Sequence, residues 1–316
     1  MAALYSPEEY VVDPFLLPLS NLYVALYHGC QLETHCRVIA VTPEQRNGGG
    51  WKVKAEKRDG GKSGITFFRA AKVINCGGNY SDELDHLVPR TIDEAKPFTI
   101  QPGRGEYVVL AKAHTSPKGP RGMVTQVPTK TYQGLYVFQS VYGHYVVGEN
   151  SISGLRMWSS LTSRFSFILG PTNVIQDSKV DRGCSIDSVA VLESHIRRYF
   201  PDLRDHQVIA TYVGLRPRDP QNTDYQIRFS PDKTWVTLGA IRSTGLTASR
   251  AIAEYCAKNI FGSSYDSMPR KTEVVMPEPE LIENNRIRVG QYTFKPMHKL
   301  SQLYWNSDTT VMKSTL

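Results

Sequence analysis

One stretch limits the fold more than any other: Trp235 to Gly262 reads as a buried strand, a tight turn and a helix. Trp235 to Ile241 is short, apolar and β-rich. Gly245 permits a turn with positive φ. Thr247 is placed to cap the helix, its hydroxyl accepting an otherwise unpaired N–H. Ala248, Ile252, Tyr255 and Ile260 recur at roughly helical spacing, and Gly262 closes the helix. A helix start this free of bulk presents N–H groups at the positive end of the macrodipole, where an anion or a developing negative charge is stabilised. By itself the stretch also fits a plain strand–helix junction.

The rest of the chain adds elements in an informative order. Asp13-Pro14 opens a helix, Asp as N-cap and Pro at the first position, with Phe15, Leu19, Leu22, Tyr23 and Leu26 on one face and Gly29 after its end. Strands follow over Gln31–Val41, Trp51–Lys57 and Ile65–Phe68, joined at Gly48-Gly49-Gly50 and Asp59-Gly60-Gly61 as a β-meander. Gly61-Lys62-Ser63 is a hairpin turn, because a phosphate loop needs a glycine where Glu56 stands. A short strand, Ala71–Asn75, runs into Cys76-Gly77-Gly78, whose bare backbone allows close approach of a ligand or of another chain segment. Ser81 or Asp82 caps a short helix.

Further strands are expected at Gly105–Lys112, Leu135–Val141, His144–Gly148, Gln207–Val213 and Tyr225–Phe229, and an amphipathic helix at Ile186–Phe200. His114–Arg121 reads as a loop and Ser151–Arg182 as irregular. The order predicts a mixed α/β chain with a sheet-rich insertion.

Composition excludes several classes. The 316 residues suffice for a sizeable core, and 41% hydrophobic with 21% charged is ordinary for a globular chain. Net charge is +7, but the basic residues are scattered, so no nucleic-acid partner is expected and a small anion is the milder inference. Cysteines 30, 36, 76, 184 and 256 show no CxxC spacing, which predicts neither disulfides nor a metal site and a reducing, intracellular setting. No apolar run reaches transmembrane length, and Met1 to Asp13 lacks a secretion signal.

Several pieces together resemble the FAD-dependent oxidoreductases of the D-amino-acid oxidase superfamily, the branch with glycerol-3-phosphate and L-2-hydroxyglutarate dehydrogenases above all. They are Ala3–Pro7 with Val12–Pro14, Val73–Gly78 followed by Tyr80–Asp82, Pro102–Tyr107, Val147-Gly148, Gly170–Thr172, Gly214–Pro217, and Gly245–Ser249 with Ala251–Tyr255. The resemblance implies an FAD-binding Rossmann-like domain of the glutathione-reductase type, incomplete here, with a β-meander and an antiparallel-sheet substrate domain. It divides the chain into 1–95 and 214–262 for FAD, 96–213 for substrate and 263–316 as an extension.

By the same resemblance, the backbone at Val38 meets the adenine, and Cys76, Gly77 and Gly78 lie along the dinucleotide. Gly245, Leu246, Thr247 and Ala248 face the flavin ring, stabilising charge on the reduced form. Arg216 anchors an anionic substrate in two bonds. Arg104, Tyr107, Tyr225 and Arg228 line the pocket, and His144 is a candidate base with an equally good structural role. The implied chemistry is hydride transfer from a small 2-hydroxy acid, amino acid or polyol phosphate to flavin, with oxygen, a quinone or a carrier protein as electron acceptor.

Two departures qualify it. No G-x-G-x-x-G unit cradles the pyrophosphate, which leaves a truncated, non-catalytic chain acting through protein contacts as the competing reading, and a bare nucleotide-binding module as a weaker one. Missing sheet strands predict self-association, and the expected setting is cytoplasmic or mitochondrial, a transit peptide belonging to the part that would precede this chain. The family's phosphate-binding Lys and Arg fall at Gly245 and Thr223, which thins the charge expected for a phosphate ester.

Overall fold

The computed structural model describes residues 12–44, 49–59, 61–89, 96–111, 123–125, 134–139, 145–150, 174–199, 203, 207–269, 272–283 and 286–295. The first helix, α1 (Leu16–Tyr27), starts where Asp13 directs it. The Asp13 carboxylate accepts the N–H groups of Phe15 at 2.7 Å and Leu16 at 2.8 Å, occupying donors that a helix start otherwise leaves unpaired.

The meander forms as expected: β1 (Cys36–Pro43), β2 (Trp51–Asp59) and β3 (Lys62–Ala70) make an antiparallel sheet in the order β1-β2-β3. The first strand begins at Cys36 rather than Gln31. β1 lies at the sheet's edge, and a register shift between Val38 and Ala40 interrupts its ladder.

A second sheet carries the one parallel pair among the described strands. β4 (Val73–Asn75) and β12 (Trp235–Gly239) run parallel, and β11 (Gln226–Phe229) lies antiparallel on the far side of β12. The short helix α2 (Ser81–His86) follows β4, and α4 (Gly245–Phe261) follows β12. Val41, Trp51, Val88 and Trp235 form one buried cluster that clamps the meander onto this sheet. Trp51 and Trp235 meet with ring centroids 5.0 Å apart, and each indole finds a hydroxyl: Trp51 donates to Thr234 and Trp235 to Thr237, both at 3.0 Å. Thr237 donates in turn to the fully buried Asp85 of α2 at 2.9 Å, so a buried polar chain is satisfied rather than orphaned.

The third sheet is antiparallel: β5 (Gly103–Leu110), β6 (Val124–Thr125), β7 (Gly134–Gln139), β8 (Tyr145–Asn150) and β10 (Val208–Arg216) in the order β10-β5-β8-β7-β6, with β9 (Val174–Ile175) also pairing β5. The helix α3 (Ile186–Tyr199) lays Leu192 and Ile196 on Val108, Leu110 and Val137. β13 (Glu280–Ile282), β14 (Arg286–Val289) and β15 (Tyr292–Phe294) form a last small sheet. Its Ile287 and Val289 pack on Leu19 of α1.

Two details of the opening stretch differ from expectation. Helix α4 begins at Gly245 with Thr244 in the cap position, and no side chain caps it. Thr247 sits in the first turn, and the Thr244 hydroxyl is taken by Tyr225. The positive φ belongs to Ala240, at 52°, and not to Gly245. Gly245 is needed for space: a Cβ there would stand 2.3 Å from the Ile241 Cγ2. Gly262 closes the helix at φ 56°, its N–H donating to the Lys258 carbonyl.

Candidate active site

Because β4 and β12 are parallel, their carboxyl ends lie side by side, and the loops that leave them, 76–80 and 240–245, share one edge of the sheet. In open α/β sheets, ligands settle outside such ends. The end of β10 arrives at the same place: Asn79 donates through Nδ2 to the Leu215 carbonyl at 3.3 Å. The turn at 223–225 closes the group, since Tyr225 bonds Thr244 and the Arg242 guanidinium donates to the Thr223 carbonyl.

The two expected glycines of the β4 end behave differently. A Cβ on Gly77 would stand 2.7 Å from Leu84 and 3.2 Å from the Ser81 Cα, so its bareness admits α2 of the same chain. Gly78 has φ 57° and nothing within 4 Å of where a side chain would start, so it faces open space beside the exposed Cys76. Across from it, the first turn of α4 has donors to spare. The Gly245 N–H bonds the Arg242 carbonyl and the Ala248 N–H bonds Thr244, but those of Leu246 and Thr247 reach no acceptor among the described residues. Val38 is half-buried on the edge strand β1 of the meander, paired with Ala55.

The β5–β10 ribbon sorts the remaining candidates by face. Alternate residues of a strand point to opposite sides. Gly103, Gly105 and Tyr107 share a side with Tyr212, Gly214 and Arg216, which stand opposite them or one pair away. On this side the Arg216 guanidinium lies flat over Gly105: a Cβ there would stand 2.5 Å from Nη2 and 2.7 Å from Cζ. Arg216 Nη2 donates to the Tyr107 hydroxyl at 3.2 Å, and Tyr107 stacks on Tyr212 at 4.3 Å, 2° from parallel. Tyr107 is therefore a support for Arg216.

Arg104 falls on the reverse side. There it meets Glu106, whose carboxylate is fully buried, at 3.4 Å. Glu106 also accepts the Ser185 N–H at 3.0 Å, and Ser185 caps α3 through a 3.1 Å bond from the Ser188 N–H to its hydroxyl. Burial first, and the Glu106 charge second, raise the pKa of the neighbouring Cys184 thiol. The structure thus separates Arg104 from Arg216 by the thickness of the sheet.

Arg228 is likewise occupied. Its guanidinium donates to the Gln226 side chain at 2.6 and 3.1 Å and to the Lys96 carbonyl at 2.5 Å, and it lies over the Phe98 ring at 4.8 Å. It fastens β11 to the 96–100 segment, so the expected lining role does not arise from these contacts. Tyr225 ties the 223–225 turn to the start of α4. His144 lies outside the described residues.

Two residues of the site were not foreseen: Arg218, just past the end of β10, and Arg242, in the loop before α4. Neither has a carboxylate partner among the described residues, and Arg218 Nη1 is buried without any hydrogen bond there. Burial, then the charges of Arg242 and of Arg216, lower the pKa of Arg218. Among the described residues no cluster of His, Cys, Asp and Glu could hold a metal ion, and no helix is long and apolar enough to cross a membrane.

These strand ends, the meander and the antiparallel sheet make up a mixed α/β fold. Residues 1–259 match the profile of the FAD dependent oxidoreductase (DAO) family, and the chain belongs to that family. It is 28% identical over 189 residues to the glycerol 3-phosphate oxidase of Mycoplasma pneumoniae, covering 58% of this chain and 41% of that protein. It is 25% identical over 207 residues to the glycerol 3-phosphate dehydrogenase of Caloramator mitchellensis, covering 64% of this chain and 37% of that one. Among solved structures, it superposes on the FAD-bound L-alpha-glycerophosphate oxidase of M. pneumoniae with TM-score 0.54 at 22% identity, over 80% of this chain and 58% of that one. It superposes on the glycine oxidase of Bacillus cereus with TM-score 0.53 at 16% identity, over 76% and 54%. The chain spans about half the length of the relatives it matches, and at these identities the structural likeness concerns the fold.

Proposed function

We propose that the cleft at the ends of β4, β12 and β10 holds the ring end of FAD and oxidises a small anionic substrate beside it. What supports this is the meeting, at one sheet edge, of Gly78 with open space above it, two unpaired N–H groups at the start of α4, and Arg216. FAD, when bound, supplies the hydride acceptor. The chain's own residues supply orientation and charge. The N–H groups of Leu246 and Thr247, at the positive end of a 17-residue helix, favour negative charge on whatever edge faces them. The Arg216 fork, flat on Gly105 and braced by Tyr107, is a planar cation that matches a carboxylate or phosphate. Val38 on the free edge of β1 serves the adenine end, and oxygen is the electron acceptor that the oxidase relatives suggest.

The test is the visible spectrum of the purified chain with FAD, taken anaerobically before and after adding glycerol 3-phosphate, a 2-hydroxy acid or an amino acid. A band at about 450 nm, a property of the cofactor, that bleaches with one of them supports the reading. No band after incubation with FAD overturns it and favours a chain acting through protein contacts.

A further inference from the structure

The meander has two free edges, and the chain treats them differently. β1 is guarded: its ladder is interrupted between Val38 and Ala40, and Pro43 closes it. Both devices keep an edge from pairing with another chain. β3 has neither. Its nine residues, Lys62–Ala70, pair with β2 without a register shift, and among the described residues no strand lies on its other side. From Ser63 to Phe68 it carries no charge and no proline, a composition that favours pairing between copies. Phe68 is half-buried beside Val53, which packs on the core, whereas Ile65 and Phe67 point outward, 51% and 53% exposed. Among the described residues the other sheet edges are four residues long at most, except β10. β10 is interrupted between Val208 and Ala210 and held at Leu215 by Asn79.

We infer that β3 is a self-pairing edge: two copies of the chain join β3 to β3, antiparallel about a twofold axis at Thr66, so that two three-stranded meanders become one continuous sheet. The register follows from the strand itself. Thr66 is the midpoint of Lys62–Ala70, so full overlap sets Thr66 against its own copy, Ile65 against the other copy's Phe67, and Phe67 against the other copy's Ile65. Residues opposed in this way lie on one side of the sheet, and an aromatic set against a β-branched residue is a favourable cross-strand pair. The strand's two cations do not meet, since Lys62 falls opposite Ala70 and Arg69 opposite Ser63. Arg69 is also offset by Glu44 at 3.2 Å. Sliding the register by two residues sets either Lys62 against Phe68 or Arg69 against Ile65, which leaves the centred register best. A nine-residue edge is about 30 Å long. It buries less than a standard stable interface, so the dimer is weak and reversible.

The experiment is sedimentation equilibrium of the full chain over a wide concentration range. The expected result is a monomer–dimer equilibrium with a dissociation constant of about 10 μM. Ile65→Lys and Phe67→Glu should each weaken it about tenfold, because the twofold axis breaks two cross-strand pairs at once. The two changes combined in one chain set lysine against glutamate on both sides of the axis. That double variant should regain the dimer, now weakened by salt, and its recovery separates a lost contact from a chain that merely unfolds. Ile39→Lys, on the guarded edge β1, should leave association unchanged. A chain that stays monomeric at about 300 μM, well above the expected constant, would overturn the self-pairing edge. A double variant that associates no better than the single ones would overturn the register. Loss of the dimer in Ile39→Lys but not in Phe67→Glu would move the interface to β1 and overturn the assignment to β3.

Discussion

The two sides of the β5–β10 ribbon carry the same kind of residue to opposite ends. On one side Arg104 meets a fully buried glutamate that also holds the cap of α3. On the other, Arg216 lies over a bare glycine and donates to the Tyr107 hydroxyl. Arg104 is ion-paired to a carboxylate, whereas Arg216 is held by a tyrosine hydroxyl and is the one proposed to meet a ligand. Strand alternation alone decides which arginine gets which task. Arg104 and Tyr107, three residues apart on one strand, cannot both face the same substrate.

The sharpest break of that comparison is Glu106→Ala. It strands Arg104, removes the anchor of Ser185 and should cost about 3 kcal/mol, read as a lower urea midpoint, while kcat/KM of the folded holoenzyme stays as before. Arg216→Ala should do the reverse: kcat/KM of the holoenzyme falls about 100-fold, the loss of roughly 2.7 kcal/mol of charge-assisted binding, and the urea midpoint hardly moves. If both variants lost stability alike, the two sides would not differ in kind.

Gly105→Ala refines the contrast. Its methyl group occupies the place of the Arg216 guanidinium, so kcat/KM should fall about tenfold in the wild type and not at all when Arg216 is already Ala, a non-additive pair. Additive losses would mean that Gly105 serves something other than Arg216.

The smallest effect concerns the strap between the sheets. Lys179 bonds Asp82 at 2.8 Å and Glu83 at 3.0 Å. Burial works to lower its pKa, but these hydrogen bonds and charges outweigh it and hold the ammonium above its ordinary 10.5. The contribution to stability is therefore complete below the unfolded value and fades as pH rises through the folded one. Lys179→Met should cost about 1 kcal/mol at pH 8, and the gap between variant and wild type should close only as pH rises beyond the ordinary 10.5 of a lysine.

Much of the frame was legible in the sequence because its signals are local. The diglycine turns gave away the meander, the Asp13-Pro14 pair the start of α1, and the spacing of Ile186, Val189, Leu192 and Ile196 the helix that covers β5. Arg216 came from a resemblance, and the geometry then explained its setting through Gly105 and Tyr107. The reverse placement of Arg104 was also readable, since period-two alternation separates it from Tyr107. Arg242 was not readable. Its role depends on how the 240–245 loop turns back through a left-handed Ala240 toward Thr223, a contact between segments about twenty residues apart in sequence. Gly245 was misread for a related reason: turn chemistry favours glycine for φ, whereas here the crowding of Ile241 requires it.

The central claim is that the open first turn of α4 faces the flavin ring and favours its reduced form. The midpoint potential of bound FAD in the wild type and in Leu246→Pro tests it most directly. Proline is tolerated in a helix's first turn but lacks the N–H, so the donor is lost, and Leu246→Ala, which keeps the N–H, controls for the lost side chain. The expected result is a potential lower by about 30 mV in the variant, the two-electron equivalent of roughly 1.4 kcal/mol. Equal potentials, with FAD bound equally well to both, would contradict it.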